Sequence, residues 1–273
     1  MKQLVILVIG LALAAGCGGR AVERVAEHTP SIAETPEDSW RRLAGRRVFF
    51  GHQSVGENIV DGIRGILASR PDIGCAISDL PDPARLTEPG LYHARIGRNG
   101  DPAAKTDHFA RLVDEGLSAD IALHKYCYVD FDERTDVEAV FEHYRATMRR
   151  LADAHPEVTF VHVTVPLTEV RMGPRDWLNK LLGRTPGEYA TAMVRARFND
   201  MLRREYDGRA PVFDLAAIES TRPDGAREGF SFKGGTYESL APEYSADGAH
   251  LNERGRAAAA APLLALLADL AAR

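Results

Sequence analysis

Cysteine is scarce in this chain: Cys17, Cys75 and Cys127 are the only three among 273 residues. No Cys-x-x-Cys pair occurs, so a structural zinc site is not expected. Positive charge is not concentrated either. Lys and Arg total 34 against 39 Asp and Glu, a formal net charge of −5, and the cations are scattered among acids. No basic stripe results, and a nucleic-acid partner is not expected. No glycine-rich phosphate loop follows a strand-like run, so nothing calls for a nucleotide cofactor, and we expect none of any kind. The apolar run near the N-terminus, Leu4 to Ala15, is too short for an ordinary spanning helix.

That run does have a distinctive end. It stops at Ala14-Ala15-Gly16-Cys17, small residues followed by Cys, which resembles a bacterial lipoprotein signal. The resemblance implies cleavage before Cys17, acylation of Cys17, and a chain held at the cell envelope, facing the periplasm or exterior. Membrane contact is then expected through the lipid only. Residues 1–17 are thus read as signal. Residues 18–39, rich in Glu, Pro, Thr and Ala without an apolar period, are read as a flexible tether. Residues 40–273, roughly 230 in number, are enough for one domain with an ample core. In an exported chain Cys75 and Cys127 are open to two readings, a disulfide or two buried thiols.

Within the domain, short apolar runs alternate with helical periods. Strands are expected at Arg47–Phe50, Cys75–Ile77, Ile121–Leu123, Val158–Val165 and Pro211–Leu215. Helices are expected over Val55–Ser69, Thr106–Glu115, Val137–Ala154, Tyr189–Tyr206 and Arg254–Ala272. The Pro- and Gly-containing stretch Pro81–Gly100 reads as a long loop. The alternation argues for a mainly parallel central sheet covered on both faces, a three-layer α/β/α architecture of flavodoxin-like kind. In such sheets ligands bind beyond the carboxyl ends of the strands.

Two segments at that edge carry chemistry. After the first strand comes Gly51-His52-Gln53-Ser54-Val55-Gly56. Ser54 there opens a helix, where it can serve as an N-cap or attack a carbonyl while nearby amides receive the oxyanion. Before the last helix comes Asp247-Gly248-Ala249-His250-Leu251-Asn252. An Asp three residues before a His in a turn can hold the imidazole as a base. Topology, not spacing, places both segments on one rim.

These blocks resemble the SGNH (GDSL-like) hydrolase superfamily of α/β/α esterases and lipases. The Asp247–Asn252 segment fits its closing Asp-x-x-His block. Ser54 falls on the Ser of its opening Gly-Asp-Ser block, although His52 and Gln53 replace the Gly and Asp. Asn99-Gly100-Asp101 resembles the block whose Gly amide faces the oxyanion. His124-Lys125-Tyr126 stands where the family has an Asn. The resemblance implies Ser54 as nucleophile, His250 as base and Asp247 as its orienting acid. It implies Gly100 as an oxyanion donor, with Asn99, His52, Gln53, His124 and Lys125 as further oxyanion or substrate contacts.

The function expected is serine-dependent hydrolysis of a small-molecule or polysaccharide ester. Two other readings stand beside it: a non-catalytic glycan-binding lipoprotein on the same scaffold, and an acyltransferase. A metal site drawn from His52, His124, His250 and Asp247 is a further possibility, but no close-spaced ligand pair supports it. Phe230–Tyr244 reads as a lid or a surface excursion. The insertion with Glu169, Arg171, Trp177, Asn179 and Lys180 reads either as the lining of a substrate cleft, Trp177 stacking on sugar rings, or, the reading preferred, as a segment that Trp177 packs onto the body.

Overall fold

A computed structural model describes residues 31–81 and 84–273. The residues read as signal, Cys17 and the first part of the stretch read as tether lie outside the described residues. Six parallel strands form the sheet in the order β2-β3-β1-β4-β5-β6. They are β1 (Arg47–His52), β2 (Ile77–Asp79), β3 (Gly90–Arg95), β4 (Ile121–His124), β5 (Thr159–Val163) and β6 (Val212–Phe213). The helices are α1 (Glu37–Ala44), α2 (Ser54–Ser69), α3 (Pro102–Asp114), α4 (Val137–Ala154), α5 (Pro174–Leu181), α6 (Gly187–Tyr206), α7 (Leu215–Ser220) and α8 (Glu253–Ala272).

Strand alternation assigns the layers. On β1, Val48 and Phe50 face one core with Leu43 of α1, Ile59 and Ile63 of α2 and Leu263 and Leu267 of α8. Phe49, between them, faces the other core with Phe109 of α3, Phe141 and Tyr144 of α4 and Phe198 of α6. A period of two turns successive side chains to opposite faces. Both faces are therefore covered, and the fold is the three-layer α/β/α sheet the alternation suggested.

Four details differ from the sequence reading. Residues 81–100 are not all loop: Gly90–Arg95 pair with β1 along their whole length and with β2 on the other side. Strand β2 begins at Ile77 instead of Cys75. Helix α1 begins inside the stretch read as tether and buries Ser39, Trp40 and Leu43. Residues 229–238 form an antiparallel hairpin, β7 (Gly229–Phe232) and β8 (Gly235–Glu238). Its Phe230 stacks on Tyr189 of α6 at 4.1 Å, and its Glu238 receives Arg203 and Arg227. Cys75 and Cys127 are both buried and both free, so the pair is not a disulfide. Burial pushes the Cys75 thiol up to about 11.

The sheet order places the switch of winding direction beside β1. The chain leaves β1 to build β2 and β3 on one side, then crosses to build β4, β5 and β6 on the other. Loops leaving neighbouring strands β1 and β4 part in opposite directions and open a crevice there. Helices α2 and α8 meet closely under this edge. A Cβ added to Gly62 of α2 would lie 2.4 Å from the Arg256 carbonyl oxygen of α8, so glycine permits the approach.

Candidate active site

Helix α2 starts at Ser54 immediately after β1, and Gln53 caps it without a side-chain hydrogen bond. The amides of its first turn have no intrahelical acceptors, and the helix dipole adds partial positive charge there. The facing turn is built just as locally. Asp247 Oδ1 accepts the amides of Ala249 and His250 at 2.9 and 2.8 Å. Gly248, at φ +99, lets the chain reverse. Asn252 then caps α8 by accepting from the Gly255 amide. Asn58 of α2 accepts the Leu251 amide at 3.1 Å and ties the turn to the helix that Ser54 opens.

The structure thus brings Ser54, His250 and Asp247 into one hydrogen-bonded line. Ser54 Oγ lies 3.2 Å from His250 Nε2. His250 Nδ1 lies 2.8 Å from Asp247 Oδ2. The Asp247 carboxyl is held down to about 2, first by the His250 amide and then by its imidazole and the Ala249 amide. An ionised acid on Nδ1 fixes the tautomer with a bare Nε2 toward Ser54.

Other expected contacts fall elsewhere. The Gly100 amide donates to Asp130 Oδ1 at 2.8 Å and is committed there, which does not fit an oxyanion donor. His124 is buried in the opposite core among Phe109, Tyr126 and Tyr144. Among the described residues it has no hydrogen-bond partner on either nitrogen, because its place on β4 turns it away from the rim. Burial lowers it to about 3. Lys125 is fully buried, donates to the Tyr126 carbonyl at 2.9 Å and is lowered to about 8 by that burial. His52 is buried and pairs with His93 at 3.1 Å. The four residues of the metal reading are therefore not one cluster. Gln53 Nε2 donates to the Ile96 carbonyl at 2.8 Å and staples the loop after β3 to the turn before Ser54.

Asn99 is exposed, and its Oδ1 accepts from Lys105 Nζ at 3.0 Å. Its two amide hydrogens remain on the other side of the planar group. Lys105 itself is buried against Asp130, with contacts of 2.7 and 2.5 Å. Tyr128 is a contact that the sequence reading missed. Its hydroxyl lies 3.5 Å from His250 Nε2, and Arg195 reaches its carbonyl from α6. Its signal was position alone, in the loop after β4. Trp177 does not pack onto the body: it is 60% exposed, and Leu178, Leu181 and Leu182 of the same segment are exposed with it. That insertion begins against the Asp247–His250 turn, where the Glu169 amide donates to the Gly248 carbonyl.

No protein-family model matches the sequence, and no curated protein matches it. Solved structures do. A GDSL-like lipase from Bacteroides thetaiotaomicron aligns with a TM-score of 0.52 at 15% identity, over 92% of this chain and 96% of that one. A carbohydrate acetylesterase from Sinorhizobium meliloti aligns at 0.44 and 14%, over 83% and 98%. An acetylxylan esterase from Geobacillus stearothermophilus aligns at 0.45 and 14%, over 82% and 94%. The fold of this chain is that of an SGNH (GDSL-like) hydrolase.

Proposed function

We propose that the protein is a serine-dependent ester hydrolase of the cell envelope. The observation that carries the reading is the Ser54–His250–Asp247 line, with gaps of 3.2 and 2.8 Å, at the switch point of a GDSL-like sheet. Ser54 Oγ attacks the ester carbonyl while its proton passes to His250 Nε2. Asp247 holds the imidazolium that forms. The tetrahedral oxyanion is received by the Ser54 amide at the start of α2 and by the Asn99 side-chain amide. His250 then returns the proton to the departing alcohol, leaving an acyl-serine. Water, deprotonated by the same imidazole, releases the acid and restores Ser54.

Asn99 takes the part first given to Gly100, because its carbonyl oxygen is held by Lys105 while the Gly100 amide is occupied. The Leu4–Ala15 run and Cys17 support lipid anchoring, with the ester carried by a small molecule or polysaccharide of the envelope. The exposed Trp177, Leu178, Leu181 and Leu182, on the insertion that starts at the Asp247–His250 turn, suit work at that surface. Treating the full chain with a fluorophosphonate probe and mapping the labelled peptide tests the chemistry. Label on Ser54, and a loss of p-nitrophenyl acetate hydrolysis of about a thousandfold or more in Ser54→Ala, are expected. Equal rates in the two proteins reject it.

A further inference from the structure

Beside Ser54 lies a chain of groups that the line Ser54–His250–Asp247 does not use. Arg64 Nη2 is 3.0 Å from His93 Nε2. His93 Nδ1 is 3.1 Å from His52 Nε2. His52 Nδ1 is 3.0 Å from the carbonyl oxygen of Gln53. The direction of every bond follows from one end. A guanidinium only donates, so His93 Nε2 accepts and its proton sits on Nδ1. That proton is donated to His52 Nε2, so the His52 proton sits on Nδ1 and is donated to Gln53. One cation thus sets two tautomers.

The rings are suited to this. His52 is 0% exposed and His93 3%, and burial keeps both neutral, His52 at about 3 and His93 below its ordinary value. The charged groups around them are Glu57 and Asp61 of α2, Asp79 of β2, Arg95 of β3 and Lys125 after β4. Asp79 lies 3.4 Å from His93 Nε2, farther than Arg64. Gly56 keeps room for the His52 ring: a Cβ there would come within 2.2 Å of His52 Cβ.

The far end of the chain is what gives it meaning. The Gln53 oxygen accepts from His52 and also from the Glu57 amide at 3.1 Å. The Gln53–Ser54 peptide is planar, and in a trans peptide the N–H points opposite to the C=O. Holding that oxygen from two sides therefore aims the Ser54 N–H the other way. Hydrogen bonds to a carbonyl also polarise the N–H of the same peptide.

We infer that Arg64, His93 and His52 are positioning residues that orient the Gln53–Ser54 peptide, and with it the Ser54 amide, toward the oxyanion. This role rests on the ester-hydrolase reading. It explains what the departure from Gly and Asp before the nucleophile supplies: a buried ring whose second nitrogen is wired to the surface of α2. One other use of the cluster is open to test. Ligand atoms of His52, His93 and Glu57 lie within 4.8 Å of one another, a spacing a metal ion could span. The guanidinium already donating to His93, and the ring-to-ring bond, favour the relay.

The test uses the full chain and its Arg64→Ala, Arg64→Lys and His93→Gln variants. Arg64 is partly exposed, so its loss leaves the fold intact. Nitrogen–proton correlation spectra of the imidazoles should show Nδ1–H on both rings, and a mixture of tautomers in Arg64→Ala. With p-nitrophenyl acetate, Arg64→Ala should lower kcat about tenfold, the worth of one lost hydrogen bond, with KM and Tm nearly unchanged. Arg64→Lys should restore most of the rate. Unchanged kcat in both Arg64→Ala and His93→Gln overturns the inference. So does an Nε2–H on His93, or stoichiometric zinc in the purified chain that is lost in His93→Gln. If the chain hydrolyses no ester, the hydrolase reading fails by itself, and the spectra still decide the relay.

Discussion

Asp130 accepts the Gly100 amide hydrogen at 2.8 Å, and that bond knots together two loops of the rim that carries Ser54. The same carboxylate accepts the Cys127 amide at 2.6 Å and the buried Lys105 ammonium. The loops after β3 and β4 therefore share one anchor, and Asn99 and Tyr128 are both placed from it.

Removing that anchor should be costly. Asp130→Ala leaves Lys105 buried without its partner, and a loss of about 3–5 kcal/mol is expected in urea denaturation. Combining Lys105→Met with Asp130→Leu should recover much of it, because the uncompensated charge goes too. A single-variant loss under about 1 kcal/mol would show that the ion pair does not hold the rim.

Asn99 separates chemistry from stability. Asn99→Ala should lower kcat about a hundredfold or more, as losing one oxyanion donor does, while Tm falls only by the worth of the one hydrogen bond to Lys105. Gly100→Ala probes something else: at φ +80 it strains the backbone and should lower Tm. Steady-state kinetics alongside calorimetry distinguish the two.

Acid should unfold the protein earlier than its exposed carboxylates imply. His52, His124 and His162 are each lowered to about 3, chiefly by burial. Depressed values mean that the unfolded chain binds the protons first. The stabilisation is complete above about pH 6.5, where unfolded His is neutral, and is lost as pH falls toward 3. Three such groups give a slope of up to about 4 kcal/mol per pH unit between roughly pH 6 and 4. His124→Phe should flatten that slope by about one proton. It should also raise stability by about 1 kcal/mol, since it removes two unpartnered nitrogens from an aromatic core.

Gly56→Ala runs against helix propensity. Alanine in a helix interior ordinarily adds about 1 kcal/mol over glycine, and Gly56, in the first turn of α2, would gain less. Here its methyl would meet His52 Cβ and Cγ at 2.2 and 2.5 Å, in a ring with no free space around it. A net loss of about 1–3 kcal/mol is expected, with reduced serine labelling. A variant as stable and as reactive as the parent would show that the ring can move.

Much of this arrangement was readable from local pattern. Helix α4 spans the Val137–Ala154 period, and the parallel order that joins Ser54 to His250 follows from strand–helix alternation. What escaped was set by distant partners. Strand β3 has only Gly90, Leu91 and His93 buried, and Pro89 precedes it with Gly90 at its start, so nothing local marks it. Its pairing with β1 and β2 makes it a strand. His93 and His52 are 41 residues apart, and Lys105 and Asp130 are 25 apart. Neither pair has a periodic or motif signature. His124 was misread because a His in a chemically loaded segment resembles a ligand until the strand's face is known. Helix α1 was hidden by the Glu- and Pro-containing composition that precedes it.

The close approach at Gly62 has a consequence for the hydrogen-bonded line two turns of helix away. Ser54 rides on one member of the α2–α8 pair and His250 sits at the entrance to the other, so the gap between oxygen and imidazole is inherited from how tightly two cylinders nest. A single methyl at that seam, far from the rim, would act as a shim beneath the whole line. The alignment of Ser54 with His250 is thus a property of the protein's interior carpentry as much as of the groups displayed at the rim.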